Sequence, residues 1–103
     1  MKKIMLITAL AALVSGPAMA AEGKAVYDKA CFACHNSGAA NSPKLGDKAE
    51  WAPRIKQGDA AMIEHAIKGY QGKKGFMPAK GGRADLSDDD VKAAVLYMRD
   101  QGK

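Results

Sequence analysis

The chain has 103 residues, room for one small domain, and sets 16 Lys and Arg against 11 Asp and Glu for a net charge of +5. So mild a basic excess is no footprint for nucleic acid. The two cysteines, Cys31 and Cys34, could close only a tiny disulfide loop, which excludes disulfide stapling as the source of stability.

Residues 1–20 read as a secretory signal. Lys2 and Lys3 form a basic start, Ile4 to Val14 is apolar apart from Thr8, and Ala18-Met19-Ala20 supplies the small residues of a cleavage site. Eleven apolar residues at ~1.5 Å each reach about half of a ~30 Å hydrocarbon core, too little for a membrane span. Cleavage is expected after Ala20, with export to the periplasm. The remaining domain, residues 21–103, has 83 residues and, without Lys2 and Lys3, a net charge of +3. A domain of this size buries only ~60% of the surface its unfolded chain exposes and needs a staple of some kind.

A first helix is expected from about Glu22 to Ala33, with Ala25, Val26, Ala30 and Cys31 on one face. Asn36 to Pro43 is rich in Gly, Ala, Ser and Asn and reads as irregular. Met62, Ile63, Ala66, Ile67 and Tyr70 place a second helix over Asp59 to Gly69, with Asp59 as its cap. Gln71 to Ala84 holds Gly72, Gly75, Gly81, Gly82 and Pro78 and reads as a loop. In the last helix Ser87 is the N-cap, Asp88, Asp89 and Asp90 fill the first turn, and Leu86 faces Val91 as a hydrophobic staple. Val91, Ala94, Val95 and Met98 form its apolar stripe, with Tyr97 beside it. No useful segment alternates like a strand, so the fold class is all-α. Loops this long inside a compact domain need something to wrap.

Cys31-Phe32-Ala33-Cys34-His35 is C-x-x-C-H, the attachment signal of a c-type haem. Two thiols on one helical turn match two vinyl groups, and the adjacent imidazole of His35 supplies the proximal nitrogen to iron. A thioredoxin-like pair would belong near a βαβ pattern, which is missing. A structural zinc would need four ligands, and the exported domain offers only Cys31, Cys34, His35 and His65 as cysteines and histidines. For the sixth position, Met62 and Met98 lie on helical stripes and read as core. Met77 sits in the glycine-rich segment between Phe76 and Pro78, where a loop can fold over the open face of the haem, and is the expected second metal ligand. His65 reads as a partly exposed surface histidine.

On these motifs the chain resembles the monohaem class I cytochromes c, most nearly the cytochrome c5 group of Gram-negative bacteria, over essentially all of residues 21–103. The resemblance implies three to five helices wrapped around one covalent haem c. Gly23 and Tyr27 match the family's first helix, where the glycine lets the last helix and Tyr97 cross closely. Pro43 matches the proline whose carbonyl accepts the proximal histidine's hydrogen bond. Trp51-Ala52-Pro53-Arg54-Ile55 is similar to the segment near the haem propionates, which implies cofactor-binding roles for Trp51 and Arg54. Met77-Pro78-Ala79-Lys80-Gly81 matches the methionine loop. Many members of the group carry a second C-x-x-C before the last helix; Arg83 and Leu86 stand there in this chain.

The expected function is single-electron transfer between redox proteins, not catalysis. The alternative, if Met77 leaves iron five-coordinate, is a gas sensor or weak peroxidase. Lys68, Lys73, Lys74, Lys80 and Arg83 lie between His65 and Ala84 with no acid among them. They point to partners with acidic docking surfaces, membrane respiratory complexes included, and to no nucleic acid or small-molecule substrate. The protein is expected to be a monomer or weak dimer.

Overall fold

Apolar stripes near the two ends of the described chain meet in one crossing that sets the architecture. The computed structural model describes residues 22–73 and 75–103; the expected export signal and cleavage site, and Lys74, lie outside the described residues. The N-terminal helix is built of three contiguous segments, Gly23–Val26, a π-helical turn Tyr27–Cys31, and Phe32–His35. It runs two residues past the expected end, so that His35 becomes its last residue. The C-terminal helix, Asp88–Gln101, begins where its cap dictates: the Ser87 hydroxyl accepts the Asp90 N–H at 3.0 Å, and three aspartates occupy the first turn. Its stripe of Val91, Ala94, Val95 and Met98 is buried.

Gly23 is where these two helices come closest. A Cβ there would lie 2.3 Å from the Ala93 carbonyl oxygen and 2.9 Å from the Tyr97 Cβ, so only glycine fits. Tyr27, one turn on, packs its ring 5.6 Å from that of Tyr97.

A helix at Lys48–Lys56 was not expected from the apolar pattern, which Pro53 interrupts. Its start is nonetheless encoded. Asp47 accepts the Glu50 N–H at 3.2 Å, and Asp47 and Glu50 have the spacing of a capping box. The helix buries Trp51 against the end of the C-terminal helix, where a Cβ on Gly102 would meet the Trp51 Cβ at 2.7 Å. The next helix, Asp59–Lys68, buries Met62 and Ala66. Gly58, at φ +98°, takes the cap position, and Asp59 instead pairs with Arg99 of the C-terminal helix.

The segment expected to be wholly irregular contains a small antiparallel pair, Tyr70–Gln71 with Phe76–Met77, in which Tyr70 lies opposite Met77 and Gln71 opposite Phe76. Gly69, at φ +88°, ends the helix and turns the chain into the first strand. Single-turn 3₁₀ segments follow at Ala79–Gly82 and, earlier, at Ala39–Asn41. The fold remains all-α apart from this pair. At the corner where Arg83 and Leu86 replace the second cysteine pair, Leu86 is buried, and the Arg83 guanidinium binds Asp85 and donates to the Lys29 carbonyl at 3.2 Å.

The crossing and the cap differ in what they tolerate. Gly23→Ala must force two helix backbones apart and is expected to cost about 2–3 kcal/mol, against about 1 kcal/mol for Ser87→Ala. Thermal unfolding of the two purified variants measures both; a Gly23→Ala protein as stable as Ser87→Ala contradicts the packed crossing.

Candidate haem site

The π-helical turn places Cys31 half-buried against the core, Cys34 lies exposed in the next turn, and the two form no disulfide with each other. A widened turn of this kind is rare and recurs at functional sites. Before any haem is attached, burial pushes the Cys31 thiol up to about 11. The Tyr27 hydroxyl is buried without a hydrogen-bond partner, the only such side-chain atom among the described residues, and the same burial raises its pKa.

His35 is 8% exposed, the one buried polar side chain in this part of the fold. Its Nδ1 lies 2.9 Å from the Pro43 carbonyl oxygen. A carbonyl can only accept, so Nδ1 carries the proton and Nε2 keeps a free lone pair. Burial draws the His35 pKa down, the Pro43 bond opposes this, and the Arg54 cation lowers it further. The ring is therefore neutral, the form that binds metals. The loop around it closes because the Leu45 N–H donates to the His35 carbonyl at 2.7 Å and because Ala40 and Asn41, at φ +54° and +62°, adopt left-handed backbone.

Trp51 packs its ring 6.2 Å from that of His35 and spends its single N–H on the Lys44 carbonyl at 2.8 Å. The N–H thus holds the same loop, and the expected propionate contact through this atom has no free donor. Arg54 faces Glu50, binding both its carbonyl and its carboxylate.

These side chains line a cavity of about 870 Å³, within the roughly 300–1,000 Å³ usual for cofactor sites. His35, Pro43, Trp51 and Arg54 contribute to its wall, as do Met62 and Ala66, Val95 and Met98, and Met77. Met77 is half-buried and packs against the core. Tyr70, directly opposite Met77 in the strand pair, projects from the same face of it.

His65 also lines the cavity, its ring stacked on Tyr70 at 4.1 Å, so it is part of the wall and not simply a surface residue. Helical periodicity counted Tyr70 as the last member of a stripe. The glycine before it was the signal that it belongs to the next element.

Among the described residues no group of three or more His, Cys, Asp and Glu converges on a point. A bare ion therefore lacks a donor set. One imidazole and one thioether in a large, mostly apolar cavity suit an ion that brings its own ring of ligands, and two free thiols at the end of the same helix suit a haem bound through thioethers.

The basic run looks different once folded. Lys68 pairs with Glu64 at 3.1 Å, Lys80 with Asp88 at 3.1 Å and Arg83 with Asp85 at 3.0 Å. Acids just outside the run in sequence are beside it in space, and of the run's described cations Lys73 is the one left exposed without such a pair.

A family model described as cytochrome c oxidase, cbb3-type, subunit III matches residues 18–98. The chain is 55% identical over 96 residues to cytochrome c-555 of Chlorobaculum tepidum, covering 90% of this chain and 89% of that one. It is 41% identical over 81 residues to cytochrome c5 of Azotobacter vinelandii, covering 77% and 93%. A chain in the crystal structure of an electron transfer complex of nitrite reductase with cytochrome c superposes with a TM-score of 0.71 at 41% identity, covering 82% of this chain and 99% of that chain. The chain belongs to the cytochrome c family: it is a small monohaem electron carrier, not an enzyme, and its cofactor is one covalently attached haem c.

Proposed function

We propose that this cytochrome, exported and cleaved after Ala20, shuttles single electrons between periplasmic redox proteins through a haem held by Cys31 and Cys34 and ligated by His35 and Met77. The single observation that carries this reading is the commitment of His35 Nδ1 to Pro43 in a cavity that Met77 also lines. When bound, the haem would supply an iron that takes up and releases one electron, held by Cys31, Cys34, His35 and Met77.

The chain's own residues do the rest. Pro43 fixes the imidazole plane and makes Nε2 more basic. The Met77 thioether would favour the ferrous state and raise the potential, and with His35 and Met77 both holding the iron there would be no place for oxygen or peroxide. Trp51, Met62, Ala66, Val95 and Met98 exclude water, which disfavours the ferric form with its extra charge. Arg54 is placed to exchange the Glu50 carboxylate for a haem propionate.

The docking face is the strand pair that carries Met77. Phe76 is 60% exposed on the face of the pair opposite to Met77 and Tyr70, an apolar point flanked by Lys73 and, in sequence, Lys74. Its partners are redox proteins with acidic docking surfaces, respiratory complexes among them. The nitrite reductase complex of the matched cytochrome supports a partner of that kind. Since three of the five nearby cations are already paired, steering is modest.

Met77→Ala is expected to lower the reduction potential by more than about 100 mV, given the roughly 0.8 V that axial ligands span, and to let the ferrous protein bind carbon monoxide. Potentiometry and a carbon monoxide titration check this; an unchanged spectrum and potential contradict Met77 ligation. A tenfold rise in ionic strength is expected to slow electron exchange with a physiological partner by only about two- to fivefold, well below the 10–10³ range of strong steering. Stopped-flow rates across a salt series measure it, and a hundredfold fall would show a charge-dominated interface.

A further inference from the structure

We infer that Lys80 is a positioning residue for the Met77 sulfur: its ammonium latches the methionine segment to the start of the C-terminal helix and sets how firmly the sulfur is kept in the cavity. The inference rests on Met77 being the ligand and goes beyond it by naming what holds it there.

Lys80 lies three residues after Met77, in the 3₁₀ turn Ala79–Gly82, with left-handed backbone at φ +54°. That conformation suits glycine, as at Gly81 and Gly82 beside it, and is unfavourable for a side chain with a Cβ. What offsets the cost is the far end of the side chain. The Lys80 Nζ donates to the Leu86 carbonyl at 2.8 Å and pairs with Asp88 at 3.1 Å. The side chain is only 22% exposed, whereas the helix-surface lysines Lys24 and Lys68, also in ion pairs, are 59% and 71% exposed.

The Leu86 carbonyl is the firm end of the latch, since Leu86 is buried just before the helix capped by Ser87, while the Asp88 carboxylate beside it is 69% exposed. On the other side the Gly81 N–H donates to the Pro78 carbonyl and the Arg83 N–H to the Lys80 carbonyl, each at 3.1 Å, so the turn transmits the hold to Met77. The segment's other anchors are the strand pair at Phe76–Met77, the Arg83–Lys29 bond and close backbone approaches. A Cβ on Gly75 would stand 2.3 Å from the Ala40 carbonyl oxygen, and one on Gly81 2.7 Å from that of Ala30. From Pro78 to Gly82, Lys80 is the side chain that ties the segment to the C-terminal helix. Without the tie the segment opens more often, and an outside ligand competes better for the position the sulfur holds.

The experiment is an imidazole titration of the ferric holoprotein, followed at the weak long-wavelength band of sulfur-bound iron, with thermal unfolding recorded in parallel. Lys80→Ala and Lys80→Gly are expected to take imidazole about tenfold more tightly than the unsubstituted protein, the loss of one charge-assisted hydrogen bond. Lys80→Arg keeps a cation on the latch and stays within about threefold. Glycine also removes the left-handed backbone cost, so Lys80→Gly is expected to unfold at or above the temperature of Lys80→Ala while its imidazole affinity stays raised. A purely structural lysine would move both readouts together. Affinities for Lys80→Ala and Lys80→Gly within twofold of the unsubstituted protein, with the band present, overturn the latch alone. Absence of the band in the unsubstituted protein overturns Met77 ligation and the latch with it.

Discussion

The hydrogen bond from His35 Nδ1 to the Pro43 carbonyl is the constraint on which the site depends. A buried imidazole without it would leave an unsatisfied donor or acceptor, a cost of about 1–3 kcal/mol. With it, the proton is fixed on Nδ1, the ring is held neutral, and Nε2 is the one nitrogen left to bind iron. The bond also organises the chain around it. It requires the loop after His35 to return within eight residues, which the left-handed residues Ala40 and Asn41 permit and the Leu45–His35 backbone bond secures. The Trp51 indole then braces the same loop through Lys44. One side chain's tautomer, the loop's path and the helix at Lys48–Lys56 are thus a single arrangement.

The second constraint is how little the polypeptide can bury by itself. Ten apolar side chains are buried among the described residues, two of them alanines, and beside them lies a cavity larger than any of these side chains could fill. Several core residues serve both purposes: Met62, Ala66, Val95 and Met98 pack between helices and also face the cavity. A covalent cofactor in that space completes the core and cannot be lost by dissociation. With the proposed ligation by His35 and Met77, electron transfer would benefit from the same economy, since a rigid wall and two fixed ligands would leave little to rearrange when the charge on iron changes.

The parts of this arrangement that were legible in the sequence are those with local causes. The Ser87 cap, the aspartate-rich first turn and the 3.6-residue stripe act within a few residues, and they located the C-terminal helix correctly. The Cys31–His35 motif carries its chemistry in five consecutive positions. The rest depends on contacts distant in sequence. The helix at Lys48–Lys56 was not read because Pro53 interrupts its apolar pattern, and what secures it is the Asp47 cap together with Trp51 reaching Lys44 and Gly102. His65 looked like a surface residue because its place in the cavity wall depends on Tyr70, which Gly69 turns out of the helix. The basic segment looked uncompensated because Asp85, Asp88 and Glu64 lie just beyond its ends.

The central claim is a haem bound covalently through Cys31 and Cys34 and clamped between the Nε2 of His35 and the sulfur of Met77. The visible spectrum of the purified ferric protein, taken before and after acid–solvent extraction, tests it most directly. The account predicts a low-spin haem with a weak long-wavelength sulfur–iron band, and colour that stays with the polypeptide after extraction. A colourless protein whose two thiols are free, or a haem that leaves with the solvent, would contradict it.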